Sequence, residues 1–384
     1  MKNILFIHQS AEMYGSDKTL LLLVKNLDKT KFFSTVVLPN EGPLKTELEA
    51  QNIKVVIAPV LKLYRKMFIP KNILSFFKDI RQGYKTLDSL NKTYSYDLVY
   101  SNTLAVLLGL FYAKSRNIKH LWHVHEIIES PKLFTKVFLY LMQLKANSSI
   151  VYNSNATAHF WNVNDKIKLK STVISNGLEI PITPLSSEKK QDIRLNFFKS
   201  NSSEIVIALV GRISRWKGQL FLLNAFSEVL KTNVDIKLVF IGSPPPNQDN
   251  FLVYLQDQIA VLKVTNKVVL IPFHDQIFDL WQSIDIAVVP SIEPEPFGLV
   301  AVEAMLAKKP VIGSNHGGLS EIIVNNETGF LVEPNNELEL SKALKKLIDS
   351  KQLRDSLGEN GYQRAVKEFS VDKYVSKFET LFEN

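Results

Sequence analysis

Residues 286–289, Ile-Ala-Val-Val, form an unbroken apolar run that stops at Pro290. A run this short, with no polar alternation, suits a strand buried on both faces, as in a parallel sheet covered by helices on each side. The pattern recurs along the chain. Residues 2–8, 35–39, 54–59, 97–100, 119–125, 149–153 and 171–174 read as strands, with helices over 19–28 and 43–51. A second series has strands at 204–210, 236–241, 268–271, 286–289 and 310–313, with helices at 219–230, 250–262 and 276–283. Another helix opens near Phe297 and runs to Ala307, with Lys308 and Lys309 in its last turn. Helices fill 337–367, and an amphipathic one covers 371–382. This alternation predicts an α/β chain of two consecutive Rossmann-like, doubly wound domains. The 384 residues also exceed what one core usually organises. A polar stretch with Pro181, Pro184, Ser186 and Ser187 marks the division. The expected parts are 1–180, a linker at 181–202, and 203–370, with the C-terminal helix of 371–384 packing back on the first domain.

The segment after residue 289 concentrates the chemistry. Pro290, Pro294 and Pro296 hold an extended loop that delivers a helix N-terminus to the carboxyl end of a strand. The free N–H groups there attract anions, and Gly298 lets a ligand approach the backbone. Glu295 lies on the loop and Glu303 within the helix. If one helix spanned both, their eight-residue separation would turn through ~800° and put them on different faces. With Glu295 on the loop they can reach opposite ends of one elongated ligand, or serve only as a surface loop acid and a dipole partner. Gly211-Arg212 and Lys217-Gly218 end an earlier strand, where Arg212 and Lys217 can converge on an anion. Gly313 to Gly318 is a further Gly-rich turn, either beside the same ligand or a helix entry needing positive φ. Gly15 follows the first strand and reads as a phosphate-facing loop or as a plain turn. His123 and His125 share one side of a strand end, as cleft-facing groups or core histidines.

Bulk properties narrow the classes. With no cysteine in the chain, disulfides and thiolate metal sites are excluded. The net charge of +8 favours phosphate-bearing partners. No RNP-like or recognition-helix signature occurs, which ranks nucleic acid below nucleotides and anionic lipid. The apolar stretch at the N-terminus is too short for a signal peptide, and no segment has the length of a transmembrane helix. Asp-x-Asp occurs nowhere, so the expectation is a metal-independent site; no cofactor is expected. Residues 61–92 interleave Lys62, Arg65, Lys66, Lys71, Lys78, Arg81, Lys85 and Lys92 with Met67, Phe68, Ile69, Ile73, Leu74, Phe76 and Phe77. This basic amphipathic stretch suits an anionic membrane, or a solvated helix packing its aromatics on its own domain. The expected location is cytoplasmic, peripheral on the inner membrane face.

Taken together, Glu295-Pro-Phe-Gly-Leu-Val-Ala-Val-Glu303 resembles the E-x7-E motif of retaining glycosyltransferases of the GT-B fold, family 4. The likeness continues in Lys309-Pro-Val-Ile, Gly317-Gly318 and Glu321, and upstream in Gly211-Arg212, Lys217-Gly218, Asp285 and Pro290-Ser291. In the first domain it rests on Gly15, His125-Glu126, Asn153-Ser154 and Asn176-Gly177. Glu126 stands where the family more often has Asp, and Tyr14-Gly15-Ser16-Asp17 replaces a Gly-Gly-x-Glu loop. The resemblance implies two domains facing across a cleft and a nucleoside-diphosphate sugar donor, with UDP the expected nucleotide. It assigns Glu295 to hydroxyls of the transferred sugar and Glu303 to the ribose. Backbone N–H groups of Phe297, Gly298 and Leu299, with Val300 alongside, would serve sugar and phosphates. Arg212 and Lys217 would stabilise the leaving diphosphate, Gly15 would touch phosphate, and His125 would lie near the reacting sugar. Same-face attack with retention is expected, on a glycan or lipid-linked acceptor of surface polysaccharide or lipopolysaccharide synthesis. Rival readings are a same-fold UDP-sugar epimerase and a catalytically silent subunit partnering another transferase.

Overall fold

The computed structural model describes residues 1–61, 70–180 and 183–383, and the side chains of the helix Pro70–Tyr94 from Phe77 onward. Lys62, Arg65, Lys66, Met67, Phe68 and Ile69, and the side chains of Lys71, Ile73, Leu74 and Phe76, lie outside the described residues. The chain divides into two compact units, Met1–Glu179 with Val371–Asn384, and Ile180–Ser370.

The first unit holds a seven-stranded parallel sheet, ordered β3-β2-β1-β4-β5-β6-β7. Its strands are β1 (Lys2–His8), β2 (Phe32–Leu38), β3 (Lys54–Ile57), β4 (Leu98–Asn102), β5 (Lys119–Val124), β6 (Asn147–Tyr152) and β7 (Ser171–Val173). Both faces are covered. Leu5, Ile7, Val37, Val99 and Tyr112 pack in one buried cluster, and Ile4, Phe6, Val36, Leu38 and Tyr100 in another. The C-terminal helix Val371–Glu383 belongs to the second cluster through Tyr374, Val375, Phe378 and Phe382. Its apolar positions recur every three or four residues, so one face is buried. Each such side chain contributes about 1.5–3 kcal/mol by leaving water.

The second unit holds a six-stranded parallel sheet, ordered β10-β9-β8-β11-β12-β13. Its strands are β8 (Ile205–Val210), β9 (Ile236–Ile241), β10 (Val268–Ile271), β11 (Ile286–Val289), β12 (Val311–Ser314) and β13 (Gly329–Val332). All four β11 residues are buried, as an apolar run without alternation requires. Each unit is a Rossmann-like, doubly wound parallel sheet, as the alternation of strands and helices predicts. In each sheet the strand order reverses once, between β1 and β4 and between β8 and β11. In open α/β sheets the carboxyl ends of strands at such a reversal form the ligand crevice.

Three local expectations need correcting. The first helix begins at Gly15, not Thr19, because Asp17 accepts the Tyr14 N–H at 2.9 Å and closes the first turn. Lys308 and Lys309 lie beyond the helix Leu299–Leu306, since Lys308 takes a left-handed conformation at φ 59°. Lys309 Nζ instead donates to Gln282 O at 3.1 Å, in the last turn of the neighbouring helix Ile277–Ser283. The stretch expected as linker contains the helix Ser187–Asn196, capped by Ser186.

Candidate active site

In the second unit, β8 runs into Gly211 and then a tight turn, Arg215–Lys217, that ends at Gly218. Gly218 has φ 78°, and a Cβ there would lie 2.0 Å from Pro290 O. The absence of a side chain lets the turn lie against the loop that follows β11. Ile292 N donates to Trp216 O at 2.8 Å and fixes the two segments together. From the other side, Gly318 N donates to Glu295 O at 2.7 Å. Cβ atoms on Gly317 and Gly318 would lie 2.4 Å from Glu295 O and 2.3 Å from Phe297 O. Only Gly317 of the two has positive φ, at 59°. So these glycines serve close chain approach as well as helix entry. His316 Nε2 donates to Ser291 O at 2.9 Å.

The loop thus clamped presents Glu295, which is buried. Lys217 Nζ lies 2.6 Å from Glu295 Oε1, and the Ser291 hydroxyl donates to the same oxygen at 2.5 Å. Lys217 also stands 4.3 Å over the Trp216 ring. The two groups that sequence reasoning sent to phosphate and to sugar therefore hold each other in this structure. Strand adjacency causes it, because β8 pairs directly with β11. Gly298, at φ 111°, caps the helix Leu299–Leu306, and a Cβ there would lie 2.7 Å from Leu319 Cδ2. The N–H groups of Phe297, Gly298 and Leu299 carry no hydrogen bond to the described residues. Open N–H groups at a helix N-terminus attract anions in general. Phe297 itself is buried against Phe369. Val300 is half-buried, and Glu303 receives the Trp281 indole N–H at 3.4 Å. Arg212 is exposed, and its carbonyl accepts from Gln219 Nε2 at 2.9 Å.

In the first unit the corresponding sheet edge carries side chains instead. His8 ends β1, Asn102 ends β4, and His125 follows β5. His125 Nε2 lies 2.9 Å from Asn102 Oδ1 and 3.1 Å from His123 Nδ1. Burial holds His125 in its neutral form, down to about 3, and His120 down to about 4. It also holds His123 well below the usual value. Burial pushes Glu126 up to about 7, against the N–H groups of Leu104 and His125 that donate to its Oε2. Gly15 is the first residue of the helix Gly15–Asn26. Asn153 and Ser154 serve the helix Asn155–Trp161, which Ser154 caps by accepting from Thr157 N at 3.0 Å. Sequence reasoning missed His8, Asp17 and Asn102. The signal was position: His8 and Asn102 end the strands beside the order reversal, and Asp17 lies in the first turn of the helix that follows β1. Among the described residues no three His, Cys, Asp or Glu side chains gather as metal ligands, and no helix is long and apolar enough to cross a membrane.

Comparison with known proteins gives this edge a context. A model of the family "Glycosyl transferases group 1" matches residues 191–364. The chain is 28% identical over 263 residues to the capsular polysaccharide biosynthesis glycosyltransferase CapM of Staphylococcus aureus, covering 66% of this chain and 67% of CapM. It is 29% identical over 184 residues to the lipopolysaccharide 1,2-N-acetylglucosaminetransferase of Salmonella typhimurium, covering 47% of this chain and 48% of that one. The chain spans about half the length of most curated relatives it matches. The crystal structure of Anabaena HepE in complex with UDP-glucose matches with a TM-score of 0.84 at 26% identity, over 100% of both chains.

Proposed function

We infer that this chain, a group 1 glycosyltransferase, moves a sugar from a nucleoside-diphosphate sugar to a glycan or lipid-linked acceptor in surface polysaccharide or lipopolysaccharide synthesis. UDP is the nucleotide we propose, with retention at the anomeric carbon and no metal requirement. The Lys217–Glu295 pair at 2.6 Å, beside unbonded N–H groups of a helix N-terminus, carries the reading. CapM and the Salmonella transferase support the acceptor class by their names, and HepE supports UDP through its bound UDP-glucose.

The chemistry follows from the charges. Breaking the anomeric C–O bond leaves negative charge on the β-phosphate and oxocarbenium character on the sugar. An arriving diphosphate draws the Lys217 ammonium, and the Glu295 carboxylate then accepts from sugar hydroxyls. Lys217, Arg212 and the N–H groups of Phe297 to Leu299 offset the leaving charge. Glu303 binds the ribose, Val300 and Gly15 border the donor, and His125 meets a substrate hydroxyl. The leaving phosphate takes the acceptor proton on the face it vacates.

Lys217→Ala and Glu295→Ala are expected to abolish turnover of the best donor found in a nucleotide-sugar panel, while the fold persists. EDTA is expected to leave wild-type turnover unchanged. Unchanged turnover in either variant sinks the reading, and magnesium-restored activity sinks its metal-free part. Exposed Phe77, Lys78, Arg81 and Lys85 on the helix Pro70–Tyr94 support a peripheral membrane surface. Anionic liposomes should float the protein at low salt and release it as salt rises. Failure to float at low salt removes the membrane from the proposal.

A further inference from the structure

Asp17, His8, Asn102 and His125 form a continuous hydrogen-bonded row along the carboxyl edge of β1, β4 and β5, with links of 2.5, 3.0 and 2.9 Å. Its polarity follows from the acidic end. Burial is the largest single influence on the Asp17 carboxyl and would raise it, but His8 together with the hydrogen bonds from Ser10 and Tyr14 outweighs it and the net shift is downward. A carboxylate only accepts, so Asp17 takes the proton on His8 Nε2. Tyr14 N donates to the other Asp17 oxygen at 2.9 Å. His8 Nδ1 then presents a lone pair, and the Asn102 amide supplies an N–H to it.

The second N–H of the same amide donates to Ser16 O at 3.1 Å. Turning the amide over would set two oxygens against each other at that distance. The Ser16 carbonyl therefore fixes Asn102 Oδ1 toward His125, and an oxygen there must be met by a proton on Nε2. His123 agrees with this direction. Its Nδ1 lies 3.1 Å from His125 Nε2 and 2.5 Å from the Tyr100 hydroxyl, and its one lone pair accepts from the nearer hydroxyl, which leaves no Nδ1 proton opposed to the one on His125. Its own proton is then on Nε2, which is buried without a partner. His8, Asp17 and Asn102 are at most 1% exposed, so none of them touches substrate.

We propose that Asp17, His8 and Asn102 are positioning residues that lock His125 as the Nε2–H tautomer, making Nδ1 the atom offered to a substrate hydroxyl, as an acceptor. The substrate contact rests on the transferase reading above, whereas the tautomer lock does not. The relay gives His125 no proton to donate from Nδ1 while it is neutral, so it reads a hydroxyl and does not act as an acid there.

The test is nitrogen NMR of the full chain with labelled histidine, with His125→Gln identifying the His125 signals. In the wild type at neutral pH, His125 should show a protonated Nε2 and an unprotonated Nδ1. Asp17→Asn removes the charged anchor and should mix the two tautomers, with kcat falling roughly tenfold, as outer partners of an oriented histidine typically do. Asn102→Asp keeps an acceptor for His125 and should retain the Nε2–H form. Wild-type His125 protonated on Nδ1 overturns the proposal even if both variants fail to fold. So does an Asp17→Asn protein with the wild-type spectrum and kcat. A locked tautomer in a protein that turns over no nucleotide sugar keeps the relay and removes only the transferase reading.

Discussion

The two sheet edges solve one placement problem in opposite ways. In the second unit the site is made of backbone: Gly218, Gly298, Gly317 and Gly318 let three chain segments approach until a Cβ would lie 2.7 Å or less from a neighbouring atom. In the first unit it is made of side chains, one each from β1, β4, the end of β5 and the helix Gly15–Asn26. The backbone-built edge is pinned by Ile292 N donating to Trp216 O and Gly318 N donating to Glu295 O, and leaves the N–H groups of Phe297 to Leu299 open. The side-chain edge depends on buried imidazoles staying neutral. Acid should therefore damage the first edge, and an added methyl the second.

The largest effect is expected from acid on the first unit. His120 and His125 are held down to about 4 and about 3, and His123 lies well below its usual value. These groups bind protons in the unfolded chain near pH 6.5 but not in the folded one. Their stabilisation is complete above that pH and is lost as pH falls from 6.5 toward 4. Glu126, raised to about 7, works in the opposite direction and offsets part of the loss. From pH 7 to 5 the net change is a loss of stability, because three imidazoles oppose one carboxyl. Hydrogen exchange of β4 and β5 amides across this range measures it. Protection that is flat with pH would remove the neutral-imidazole account of this edge.

Next comes the glycine contrast. Gly218→Ala forces a side chain into a left-handed conformation and against Pro290 O, and should destabilise the second unit by about 3 kcal/mol. Gly15→Ala places alanine at the start of a regular helix and should change the first unit by less than about 1 kcal/mol. Hydrogen exchange resolved by unit separates the two. Equal losses would mean that the first edge is also held by close backbone approach.

The same contrast explains what the sequence could convey. Residues 236–241, 268–271 and 286–289 were readable to the residue, because strands buried on both faces are continuous apolar runs. The glycines and prolines of the second edge stood out because close approach and fixed φ restrict residue type. The helix Ser187–Asn196 escaped notice because it buries no residue and so carries no apolar period. The Lys217–Glu295 contact spans 78 residues and follows from β8 lying beside β11, which no local pattern encodes. His8, Asp17 and Asn102 are ordinary polar residues until the sheet order brings them into a row. Side-chain networks assembled from distant strands leave no spacing to read.

The smallest effect concerns Glu126, which lies between the two kinds of construction because its side chain accepts backbone N–H groups of Leu104 and His125. Burial raises its folded value to about 7, above the unfolded value near 4.5. A raised carboxyl contributes stability that is full below the unfolded value and disappears as pH climbs through 7. Glutamine offers an oxygen to the same two N–H groups and does not titrate. Glu126→Gln should therefore gain on the wild type between pH 5 and pH 8, by about 1–2 kcal/mol after allowing for partial exposure. Urea unfolding monitored in the first unit at both pH values reads the difference. A variant that instead loses ground at pH 8 would show the ionised carboxylate to be the form the two N–H groups stabilise, and the loop after β5 would then be held by charge as the Lys217–Glu295 loop is.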